Sequence, residues 1–138
     1  MTTPPDSSLL QLQYRPDLGL LAVRWLRDAD SLAEAQAACQ AVLAAAQAEA
    51  TGRLLMDRRR ITPAMPGSEW MVHEWLPTLS RVLPGPVRIA SLASPELWQA
   101  VTSQTPLRAA ADEVLRPGHP YQVGVFMDEG AAVQWLQS

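Results

Sequence analysis

The sequence predicts a single α/β domain with a mixed, mostly parallel sheet and its helices mainly on one face. Three observations carry the prediction. Strand-like runs alternate with helical stripes after an opening hairpin, in the order ββαβαβαβα; each helix start carries its own cap chemistry; and 138 residues, 48% of them hydrophobic, suffice for one core but not for two ordinary domains.

Residues 1–7 hold Thr, Pro, Asp and Ser with almost nothing apolar, and are expected to form a disordered tail ahead of a domain over residues 8–138. Leu10, Leu12 and Tyr14 alternate with Gln11 and Gln13, the period of a half-buried strand. Arg15 to Gly19 carries turn chemistry, and Leu20–Leu26 completes a hairpin. Ser31 and Glu34 form a capping box before an Ala-rich stripe of Leu32, Ala35, Cys39, Val42, Leu43 and Ala46. Thr51-Gly52 ends that helix, and Arg53–Arg58 reads as a strand. Pro63 and Pro66 are expected to hold the next loop extended, after which Ser68 caps a helix over 69–82 that Pro77 should kink or split.

Pro84-Gly85-Pro86 separates this helix from a strand over 87–93. Ser94-Pro95-Glu96 then supplies a cap, a helix-compatible proline and an acid at the positive helix end. Thr105-Pro106 starts a shorter helical stretch that Arg116-Pro117-Gly118 breaks; 121–127 is the last strand, and Asp128 caps a closing helix. Val23, Trp25, Leu54, Met56, Val87, Ile89, Val123 and Val125 fall on one sheet face by parity, while Arg24, Arg53, Arg88 and Gln122 fall on the other. Helices are therefore expected mostly over the first face, with the second partly wet or used in association.

All 11 basic residues are Arg, set against 14 Asp and Glu for a net charge of -3. That balance argues against nucleic-acid binding, which needs a dense cationic surface. A lone Cys39 allows no internal disulfide, no run approaches the roughly 20 apolar residues of a membrane span, and the start lacks signal-peptide features. A cytoplasmic protein is expected.

With this order in hand, the chain resembles the STAS-like, anti-sigma-factor-antagonist-like (SpoIIAA-like) family, from about Leu9 to Leu136. The carriers are Leu54-Leu55-Met56-Asp57, Val87-Arg88-Ile89-Ala90, and the ending Val125-Phe126-Met127-Asp128-Glu129 followed by Ala131, Ala132, Trp135 and Leu136. Glu69-Trp70 with Trp75-Leu76-Pro77 is similar to a helix of an uncharacterised bacterial branch. The resemblance implies a strand-helix superhelix and a non-enzymatic regulatory or protein-interaction domain. Asp57 matches the Asp that precedes the family's phosphorylated Ser, but Arg58, Arg59 and Arg60 follow it here. Thr62 or Ser68 would have to take that Ser's place, near a helix start where added negative charge is favourable.

The residues themselves suggest where binding would occur. In parallel α/β sheets ligands favour the carboxyl ends of the strands, where Ser31, Ser68, Ser94 and Asp128 are expected as caps and where Arg58, Arg59 and Arg60 leave a strand. These Arg and Ser68 are candidates for holding an anion or an acidic partner surface, with solvated pairing to Asp57, Glu69 or Asp128 as the plainer alternative. Trp70 and Trp75 are candidates for lining an apolar pocket, with core packing as the alternative.

Glu69 and His73 share a helix face but would need a third ligand such as His119 or Glu74 to hold a metal. Cys39 reads as a core thiol. No GxGxxG or GxxxxGK[ST] phosphate loop occurs. No catalytic group, metal or cofactor is expected. The first functional expectation is docking of a protein partner, or of a second copy in a homodimer, through the loop Asp57–Ser68. The second is carriage or sensing of a small apolar or anionic ligand near Arg58–Arg60, Trp70 and Trp75.

Overall fold

The computed structural model describes residues 9–103 and 105–138. The tail expected over 1–7 lies outside them. The chain is an α/β domain built on a five-stranded sheet in the order β1-β2-β3-β4-β5, the order of the sequence itself. Strands β1 (Leu10–Arg15) and β2 (Leu20–Trp25) pair antiparallel, with Leu10 opposite Trp25 and Arg15 opposite Leu20. The turn between them closes on the Arg15 carbonyl, which accepts from the N–H groups of Leu18 and Gly19, and Gly19 adopts φ 66. Strands β3 (Arg53–Asp57), β4 (Val87–Leu92) and β5 (Tyr121–Phe126) then add in parallel.

Helix α1 (Leu32–Ala48) links β2 to β3. A broken helical segment links β3 to β4: α2 (Ser68–Trp70), a π-turn (Met71–Trp75) and α3 (Leu76–Val82). Helices α4 (Pro95–Ser103) and α5 (Thr105–Leu115) link β4 to β5, and α6 (Glu129–Gln137) follows. Crossovers of one hand that always step to the next strand must lie on one face. The larger core accordingly joins α1, α3 and α4 to Val23, Trp25, Leu54, Met56, Val87 and Ile89. Among the described residues only α6 packs on the opposite face, where Ala132 and Leu136 meet Leu20, Leu55, Ala90 and Leu92.

Three of the expected caps are made. Ser31 Oγ accepts from the Glu34 N–H, Ser94 Oγ from Leu97, and Asp128 Oδ2 from Ala131. The capping box is displaced by one residue, because Glu34 accepts from the Asp30 N–H at 2.7 Å and also receives the Arg27 fork. Ser68 is not a cap. The chain enters α2 through Gly67 at φ 101, a left-handed approach that makes Gly67 the cap position and leaves Ser68 already helical. Nor is the loop before it simply extended: turns closed by Arg58 O to Ile61 N and by Thr62 O to Met65 N bury Ile61 and Met65 in the core.

Pro77 splits the segment as expected, by way of the π-turn. Having no N–H, and a ring that crowds the carbonyl four residues back, proline favours a widened turn upstream. Here the Leu76 N–H reaches back to Met71 O, and the Thr78 hydroxyl donates to the carbonyl of Glu74. The widening falls in the element that roofs the carboxyl ends of the strands.

Candidate functional site

Beneath that roof lies an apolar chamber of about 130 Å³ between the sheet and the helices α2 to α5. Its floor is made by residues at or near the carboxyl ends of the parallel strands: Trp25 of β2, Met56 of β3, Ser91 of β4 and Val125 of β5. Met71, Val72 and Trp75 of the π-turn close one side, and Leu97, Val101 and Val114 close another. A π-turn in a helix often marks a functional position.

Arg58 enters this apolar space. Alternation along β3 places Met56 on the helix-covered face and Asp57 on the other, so the next residue returns to the first face while its N–H still bonds to Leu92 O at 2.9 Å. The residue as a whole is half-buried, but its side chain lines the chamber and makes no hydrogen bond or ion pair among the described residues. Burial pulls its pKa below the usual arginine value. Cys39 is fully buried, and burial pushes its thiol up to about 12, with the Arg58 charge opposing. It is therefore a neutral thiol and no counter-charge for Arg58.

Two indoles border the chamber with different fates. Trp75 Nε1 donates to the Cys39 carbonyl at 3.1 Å. Trp25, only 1% exposed, has an Nε1–H buried with no partner among the described residues. Buried polar groups are ordinarily bonded, so a bare indole N–H on a residue that lines a chamber is informative. The buried Ser91 hydroxyl and the half-buried Ser68 hydroxyl border the same space.

The other candidate residues are spread out. Arg59 turns back to the opposite face, where Nε and Nη2 grip the Asp57 carboxylate at 2.9 and 2.8 Å, with Glu129 at 3.5 Å. Arg24 approaches the same carboxylate at 3.5 Å. Burial alone would raise the Asp57 pKa, but the bonds from Arg59 outweigh it and hold the carboxyl below its usual value. Arg60 is exposed. Trp70 is half-buried and packs against the core without lining the chamber. Thr62 is exposed, and its N–H and hydroxyl both bond to the Asp28 carboxylate, which would repel a phosphate placed there.

Glu69 and His73 are exposed, while His119 stacks on Tyr121 at 4.7 Å and approaches Glu113 Oε2 at 2.9 Å. Among the described residues no three His, Cys, Asp or Glu gather as a metal site, and no helix is long and apolar enough to cross a membrane. Of the chamber residues the sequence singled out Arg58, Ser68 and Trp75 as site candidates; Trp25, Ser91 and Met71 are among those it did not. The strand parity that assigned Trp25 to the helix-covered face was the available signal. No protein-family model, curated protein or solved structure matches the chain.

Proposed function

We propose that the chain is a STAS-like, non-enzymatic domain of the cytoplasm whose function is to hold a small, largely apolar molecule in the chamber beneath the π-turn. The observation that carries this reading is a chamber with apolar walls at the strand ends, lined by an arginine that has no partner among the described residues. Its volume is close to the roughly 150 Å³ of an apolar cavity that takes up benzene. The STAS-like assignment is supported by the sequential strand order, by crossovers gathered on one face, and by the single closing helix on the other. A non-enzymatic role is supported by how the reactive groups are used: Cys39 is neutral, Asp57 is held by Arg59, and Ser31, Ser94 and Asp128 serve as caps.

Ligand holding is favoured over docking through the Asp57–Ser68 loop because Arg59, central to that surface, is occupied within the molecule. Indole N–H resonances test the reading during titration of the labelled protein with toluene, benzyl alcohol and benzoate. At least one compound should move the Trp25 and Trp75 signals while Trp135, on the other sheet face, stays still. If none of the three moves Trp25 or Trp75, the chamber is not a binding site.

A further inference from the structure

The chamber's polar groups are nearly all donors. Arg58 and the Trp25 indole can only donate, and the Ser68 and Ser91 hydroxyls can donate as well. Among the described residues no carboxylate side chain lines the space. A half-buried guanidinium against apolar walls gains from a counter-charge, and a buried N–H without an acceptor is costly. Comparable groups nearby have partners: Arg27 has Glu34, Arg59 has Asp57, and Trp75 has Cys39 O, although the Nε of Arg88 on the opposite sheet face is also buried without one among the described residues. Arg58 and Trp25, whose guanidinium and indole N–H have no partner among the described residues, both line one chamber. What they lack in common is a negatively charged acceptor.

Resting on the binding reading above, we propose that the ligand is a small carboxylic acid with an aromatic or branched hydrocarbon body, its carboxylate seated on Arg58 and the Trp25 Nε1–H. A planar guanidinium fork matches a carboxylate, and the about 130 Å³ of free volume fits a body near the size of benzene. One arginine balances one negative charge. A phosphate dianion would leave excess charge against Met56, Leu97 and Val125, which is unfavourable in apolar surroundings.

The test is calorimetric titration of the whole chain with benzoate, with its neutral counterpart benzyl alcohol, and with phenyl phosphate. Benzoate should bind at least about tenfold more tightly than benzyl alcohol, since a charge-assisted bond is worth that much or more. Arg58→Gln should abolish the preference while keeping benzyl alcohol binding, which reports an intact chamber. Trp25→Phe keeps the ring, loses the donor, and should weaken benzoate by about threefold to tenfold; it carries the test alone if the Arg58 variant does not fold. Equal binding of benzoate and benzyl alcohol, a preference that survives both substitutions, or tighter binding of phenyl phosphate overturns the carboxylate assignment and leaves the apolar reading standing. If none of the three ligands binds, both fall together.

Discussion

Asp57 and the three arginines after it show how much one strand end decides. Alternation past the end of β3 sends Arg58 to the helix-covered face and Arg59 back to the Asp57 carboxylate, and Arg60 is left exposed. Three identical residues thereby acquire three environments. Because the folded Asp57 pKa lies below its unfolded value, its stabilising effect is present above the unfolded pKa of about 3.9 and is lost as pH falls through the folded one. Asp57→Asn should cost about 1–2 kcal/mol at neutral pH, and the gap to the parent should narrow in urea titrations below about pH 4. A gap independent of pH would mean the ion pair is not its source. The run Arg58–Arg60 was legible in the sequence as a charged strand edge, but composition treats its members alike. Only the sheet register separates the one that enters the chamber from the one that is neutralised.

At the scale of elements, strands and helices were legible because period and punctuation agree, as in the capped starts at Ser31, Ser94 and Asp128. Replacing Ser31 with Ala should cost about 1 kcal/mol by chemical denaturation, since the Glu34 N–H loses its acceptor. Gly52, between α1 and β3, is a tighter constraint. A Cβ there would stand 2.9 Å from the Pro84 carbonyl oxygen and 3.2 Å from that of Pro86, and backbone cannot yield as a side chain can. Gly52→Ala should therefore lower stability by about 1–3 kcal/mol; a neutral result would show that the Pro84–Pro86 turn moves freely. The π-turn was not legible beyond a break at Pro77. Its placement depends on which carbonyl the Leu76 N–H finds, and that choice involves Met71 and the packing of Trp75 against Cys39 as much as the proline.

Across the whole molecule, the two sheet faces are covered unequally. The face bearing Arg24, Arg53, Arg88 and Gln122 was legible from parity, but its partial cover by α6 was not, because docking a short helix depends on a few contacts. Leu136 is fully buried, and Arg88 clasps the helix end, its guanidinium 4.2 Å from the Trp135 ring centre and bonded to the Ser138 carbonyl. Leu136→Ala should cost about 2–5 kcal/mol and expose Leu20, Leu55 and Leu92 to a hydrophobic dye. Unchanged stability and dye binding would show that α6 adds little to the fold.

The order of strands in the sheet also bears on how the chain is made. From β2 onward each strand hydrogen-bonds to the one synthesised just before it, so no strand waits for a partner that has yet to leave the ribosome. Every pairing closes a loop no longer than one crossover, which keeps the entropy of each step small and the growing edge short-lived. The sheet can therefore assemble vectorially from the hairpin, with α6 docking after β5 has paired.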